Sequence, residues 1–177
     1  MSSDRARSIY RAPWRIDLVV RDGTTPPLSD AAIADAVVRA LDAAGAPSPG
    51  SVAIVLTDDS ELAELNSEHM KQEGPTDVLS FPLLAPGAFP RHGRRAATES
   101  KPGVGRRTHI GDIAISVERA LEQAEAGRGG QTGDVRWSTE DELRLLVTHG
   151  TLHLCGWDHA EPAEETAMRD LERRLLG

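Results

Sequence analysis

Residues 139–159 read TEDELRLLVTHGTLHLCGWDH, and the way this stretch starts, runs and stops organises the rest of the chain. Thr139 and Glu142 fit a capping box, in which the hydroxyl accepts from the backbone N–H three residues on and the acid reaches back. LRLLVTHGTLHLC continues as a helix until Gly156, whose tolerance of a left-handed backbone ends helices and reverses the chain. His149 and His153 are four residues apart. At about 100° per residue they lie within roughly 40° of each other, so both imidazoles share one helix face. His159 comes three residues after Gly156, and the reversal folds its ring back toward the pair. A histidine pair at this spacing is usually incidental, but a third histidine beyond a helix-ending glycine makes one geometry account for every element. Three neutral imidazoles so placed form a facial triad for a divalent metal, with a position left open for water. Zinc is the expected ion, and nickel or copper also suits three imidazoles.

Working outward, the neighbouring segments alternate between strand and helix signals. RIDLVV (15–20) alternates and is rich in β-branched residues, so it reads as a strand. TTPPLSD breaks it, and Ser29 or Asp30 caps an Ala-rich helix that ends near Gly45. SVAIVL (51–56) is a short apolar run and reads as a buried strand, followed by a helix from Asp59 or Ser60 to about Met70. DVLSF (77–81) and IGDIAIS (110–116) supply two more strands, the second running into the helix VERALEQAEA. A last helix starts near Pro162 with an apolar stripe at Met168, Leu171 and Leu175. The expected fold is α+β, one domain over residues 1–177, with a mixed sheet of about four strands packed by helices and the metal site on a helix and the turn after it.

The chain has 177 residues, 39% of them hydrophobic, which is enough for one buried core. Its start carries charges throughout and lacks the apolar region of a signal peptide, and no apolar run reaches the ~20 residues of a membrane helix. With Cys155 as the single cysteine no intrachain disulfide can form, so a cytoplasmic setting is expected. Two residues from His153, Cys155 points to roughly the opposite helix face and reads as a small buried hydrophobe. The net charge is −8, yet residues 85–108 hold six basic side chains against one acid, a local +5 that leaves −13 elsewhere. That segment lacks any apolar period and reads as a long solvated loop, compatible with a polyanionic partner.

Three stretches taken together, HGTLHLCGWDH (149–159), GPTDVLSFP (74–82) and GDIAIS (111–116), resemble the YbeY family of bacterial rRNA-maturation endoribonucleases. Leu65 and Asn66 precede the second motif at the family's usual distance. The resemblance implies a single α+β domain, a metal on the three motif histidines and hydrolysis of single-stranded RNA. It further implies the 16S rRNA precursor and the small ribosomal subunit as partners, with roles in 3′-end maturation and ribosome quality control, and no membrane. Met70 stands where many members carry an arginine, so that arginine's role is not carried over. Residues 91–107, a longer connection than is usual in the family, could carry the basic role instead.

A metal with an open position can activate water and polarise a phosphoryl oxygen, which suits a phosphodiester. Asp158 and Asp112 are the candidate general bases; Asp158 could also orient an imidazole, and Asp112 could simply end a strand or turn. Asp77 and Ser80 either contact substrate or fix their strand, and Asp77 reads better as the latter. The histidine spacing also matches zinc peptidases of the form H-E-x-x-H-x-x-G-x-x-H, whose glutamate is the general base. Gly150 occupies that position here, and a glutamate there is expected to crowd the open metal position. A ribosome-assembly factor with a structural metal is the remaining alternative.

Overall fold

Trp14, Ile16, Leu18 and Val20 are buried while Arg15, Asp17 and Val19 between them are only partly so, the period of two that lays one strand face on a core. In the computed structural model this strand, β2 (Trp14–Val20), joins β1 (Arg5–Arg11), β3 (Gly50–Thr57), β4 (Val78–Pro82) and β5 (Thr108–Ser116) in one sheet of order β1-β2-β3-β5-β4. The residues described are 3–70, 76–90, 106–126 and 137–177. Both outer pairs, β1 with β2 and β4 with β5, are antiparallel, and the two inner pairs are parallel. The α+β fold with a mixed sheet is as expected, but it has five strands. The missed strand, β1, reads RARSIYR: it is almost wholly exposed and carries arginine where an apolar alternation would have announced it. Arg5 and Arg7 pair with Asp30, and Arg11 with Asp35, so charge docks this edge where apolar side chains were looked for.

Helix α1 (Asp30–Ala44), capped by Ser29, buries Ile33, Val37 and Leu41 with four alanines, and these small residues let it approach the sheet and its helical neighbours closely. Helices α3 (Val117–Glu125), α4 (Thr139–Leu154) and α5 (Pro162–Leu176) contribute Val117, Leu143, Val147, Leu152 and Met168 to the same core. On the other face α2 (Asp59–Leu65) packs Leu62 on Leu79 and Ala114, and runs into a π-helical turn, Asn66–Met70. The long basic segment is anchored at both ends: Phe89 is buried in the main core, and the Arg107 guanidinium donates to the carbonyls of Pro13 and Gly50. Residues 91–105 lie outside the described part. Among the described residues no helix is long and apolar enough to cross a membrane.

Candidate metal centre

Helix α4 is capped one residue earlier than its sequence suggests. Ser138 accepts from the Asp141 N–H at 3.1 Å and Asp141 reaches back to the Ser138 N–H at 3.0 Å. Ser138–Asp141 and Thr139–Glu142 are equivalent in spacing. Burial decides between them, because this register turns Glu142 inward, 2% exposed, where it accepts from the Trp137 indole at 2.6 Å. At the other end Gly156 adopts φ 82°, the Gly156 N–H bonds to the His153 carbonyl and the Trp157 N–H to the Leu152 carbonyl. This is the Schellman closure that satisfies the last carbonyls and reverses the chain.

The reversal brings the three histidines together. Ligand atoms of His149, His153 and His159 all lie within 4.8 Å of one another, and the ring centroids are 4.5, 5.1 and 5.8 Å apart. The His149 Nδ1 faces the Glu172 carboxylate at 2.5 Å, and the His153 Nδ1 faces the Trp157 carbonyl at 2.9 Å. Each acceptor draws the ring proton to Nδ1 and leaves a lone pair on Nε2. The two Nε2 atoms then face each other at 2.9 Å. Two lone pairs so close repel unless a cation lies against both, so the donor set fits a divalent ion. Burial, reinforced by His149 and His159, pulls the His153 imidazole down to about 4, which keeps it neutral and able to ligate at physiological pH.

The neighbouring residues divide clearly. Cys155 is 2% exposed and burial pushes its thiol up to about 12, so it is the buried hydrophobe expected and no thiolate ligand. Asp158 is exposed beside the triad and accepts the backbone N–H of His159 at 2.7 Å, shaping the turn and leaving the imidazoles to other partners. Asp112 is not in the site. It pairs with Phe81 across the ladder, one residue out of phase with Ile113, and Ile113 is the side chain that faces α4. Asp112 therefore projects from the opposite face of the sheet, where it bonds His109 Nε2 at 2.8 Å, and the role expected of it is corrected on that ground. Gly150 also corrects an expectation: a Cβ there would come within 3.0 Å of Ile113 and 3.1 Å of Val78. Its Cα faces the sheet and not the metal position, and Ser80 clasps the same point by donating to the Gly150 carbonyl at 2.9 Å. Glu172 is the site residue that sequence reasoning missed. Its only trace was an acid next to the Leu171 stripe, where a helix facing the core should be apolar.

With that geometry in place, comparison with known proteins becomes decisive. The family profile described as endoribonuclease YbeY matches residues 24–177. The chain belongs to the YbeY family. An endoribonuclease YbeY of Salinispora tropica is 42% identical over 143 residues, covering 80% of this chain and 82% of that one. Another, of Beutenbergia cavernae, is 44% identical over 128 residues, 71% of each chain. The solution structure of TM1509 from Thermotoga maritima has the same fold, with a TM-score of 0.51 at 22% identity over 92% of this chain and 86% of that one. The YbeY profile begins beyond β1 and β2, so the charged hairpin edge lies outside the matched region.

Proposed function

We propose that the chain is a metal-dependent endoribonuclease that hydrolyses single-stranded RNA, with zinc held by His149, His153 and His159. The observation that supports it most is the pair of Nε2 atoms 2.9 Å apart in a member of the YbeY family. A bound divalent ion would supply a Lewis acid for the phosphoryl oxygen and an activated water. The chain's own part is to hold protons and orientations. Glu172 and the Trp157 carbonyl keep the Nδ1 protons of His149 and His153 outward. Asp158, fixed by the His159 N–H, is the exposed carboxylate adjoining the triad, Glu172 being buried against His149, and we assign Asp158 the proton-accepting role. The family setting extends the reading to 3′-end maturation of 16S rRNA and ribosome quality control, with the small ribosomal subunit as partner and the cytoplasm as location.

Peptide hydrolysis is disfavoured by Gly150, because the residue that would carry the peptidase base points into the sheet. Met70, in place of the family arginine, favours a second reading as a ribosome-assembly factor with a structural metal. One experiment separates these. Zinc-loaded protein should cut unstructured RNA, spare stable duplex and leave casein intact, and His153→Ala should lose both the zinc and the RNA cleavage. Full zinc occupancy with no RNA cleavage would favour the assembly factor; casein hydrolysis abolished by His149→Ala would indicate a protease.

A further inference from the structure

Beside the histidines, α4 and α5 part to leave a cleft of about 290 Å³, lined among the described residues by His149 and His159 and by side chains of two other kinds. Leu145, Leu146 and Met168 make its apolar walls, and four carboxylates line it: Glu172 against His149, Glu165 against Arg169, and Asp77 and Glu142. Leu146 and Met168 are 4% and 1% exposed, so these walls are set by the core and do not depend on surface rotamers. The acceptors are held as firmly. Glu142 accepts from Trp137, and Asp77, at the entry to β4, accepts from the Gln123 amide at 3.2 Å while its carbonyl takes the Ser116 N–H. Arg169, paired with Glu165 at 2.6 Å, is the one cation among the described lining residues.

We propose that this cleft receives the base of the nucleotide next to the scissile phosphate and selects guanine; the proposal rests on the endoribonuclease reading above. A flat base fits apolar walls of this kind, and single-stranded RNA is the substrate whose bases are free to leave the stack. The edge of the base is chosen by the acceptors. An ionised carboxylate offers no donor and takes two parallel hydrogen bonds from a suitable partner. Guanine is the one RNA base whose Watson–Crick edge presents two adjacent donors, N1–H and the N2 amino group. Adenine and cytosine set a ring-nitrogen lone pair beside their amino group, and uracil flanks its single N–H with two carbonyls, so each turns a lone pair toward the carboxylate. Of the two lining acids that pair with neither His149 nor Arg169, Asp77 is more accessible than Glu142 and makes this contact; Arg169 is left for the O6 edge or the phosphate.

The test titrates the zinc-loaded full chain with the 5′-monophosphates of guanosine, inosine, adenosine, cytidine and uridine by calorimetry. All five share the phosphate, so their differences report the base. The guanosine nucleotide should bind about tenfold more tightly than the others, and the inosine nucleotide, which lacks the N2 amino group, should lose most of that advantage. Asp77→Asn should erase the preference with zinc stoichiometry unchanged. Leu145→Trp, a half-buried position at the wall, should fill the cleft and weaken all five nucleotides, and it decides the matter where Asp77→Asn does not fold. Equal affinity for guanosine and inosine nucleotides, or unchanged guanosine affinity in Leu145→Trp, overturns the proposal. Mapping cuts in unstructured RNA separates it from the reading it rests on. Cuts without base preference sink the guanine cleft and leave the nuclease standing. A guanine preference in binding with no RNA cleavage sustains the cleft and sinks the nuclease.

Discussion

Glu172 reaches His149 from a different helix, and that contact makes the candidate metal site depend on how α5 docks. The carboxylate is 9% exposed and sits 2.5 Å from Nδ1, so it sets both the tautomer and the ring plane. Partners of this kind change metal affinity by about 10- to 100-fold when removed. Glu172→Gln keeps the shape and loses the charge; it should weaken zinc by an amount in that range, measured by competition with a chelator. Zinc affinity equal to that of the parent protein would show that the ring is oriented by packing alone. Gly150 carries the complementary lesson at the same scale. Its missing side chain lets β4 and β5 approach α4, with Val78 and Ile113 at contact distance, and so fixes the floor on which the histidines stand.

Two contacts between elements lend themselves to measurement. The start of α4 offers two capping registers, and the structure uses Ser138 with Asp141. Ser138→Ala should therefore cost about 1 kcal/mol of stability, while Thr139→Ala should be close to neutral. Equal losses in urea melts would mean that both registers are populated. The second contact ties the end of β2 to α2. The Arg21 guanidinium donates to Glu61 from Nη2 at 2.7 Å and from Nε to both oxygens at 3.1 and 3.0 Å, and from Nη1 to Asp4 at 2.7 Å. The hydrogen bonds from Arg21 hold the Glu61 carboxyl below the usual carboxylate range, burial opposing them and Thr57 adding to them. A carboxyl whose pKa is lower folded than unfolded stabilises the fold above its unfolded pKa, and this is lost as pH falls through the folded value. Unfolding midpoints measured from pH 6 down to pH 2 should fall less steeply in Glu61→Gln than in the parent. Parallel curves would remove Glu61 from the acid response.

Over the whole molecule, charge is segregated: an acidic body of net −13 carries a basic segment of +5. Arg107 is not a free member of that segment, since its guanidinium is spent on the Pro13 and Gly50 carbonyls beside the β1–β2 turn. Arg106 is exposed, Arg94 and Arg95 lie outside the described residues, and their charge is expected to meet RNA. Neutralising Arg94, Arg95 and Arg106 together should weaken RNA binding at low salt and lower the slope of log affinity against log salt by up to about 2, at ~0.7 per phosphate contact. Thermal stability should be unchanged, because among the segment's described residues the core contact is made by Phe89, outside the substituted positions. Identical salt slopes in the two proteins would make the segment a passive spacer.

The histidine triad was legible because everything that builds it lies within eleven consecutive residues. A four-residue spacing, a helix-ending glycine and a short return are local geometry, and local geometry is written in order along the chain. Strand β2 was legible because burial of one face imposes a period of two, and β3 because a strand covered on both faces reads as a short apolar run. Four features depended on packing. Glu172 lies 23 residues from His149, and only the placement of α5 against α4 brings them together. Asp112 had the chemistry of a base, but the sheet presents alternate residues to opposite faces, and nothing in GDIAIS says which face α4 will cover. The capping register was degenerate in STEDE until burial of Glu142 chose between two equal spacings, and β1 was silent because it docks by ion pairs. The sequence by itself therefore determined the three histidines and the turn that gathers them. Tertiary structure decided which carboxylates stand beside them, because that choice is made by contacts between elements far apart in the chain.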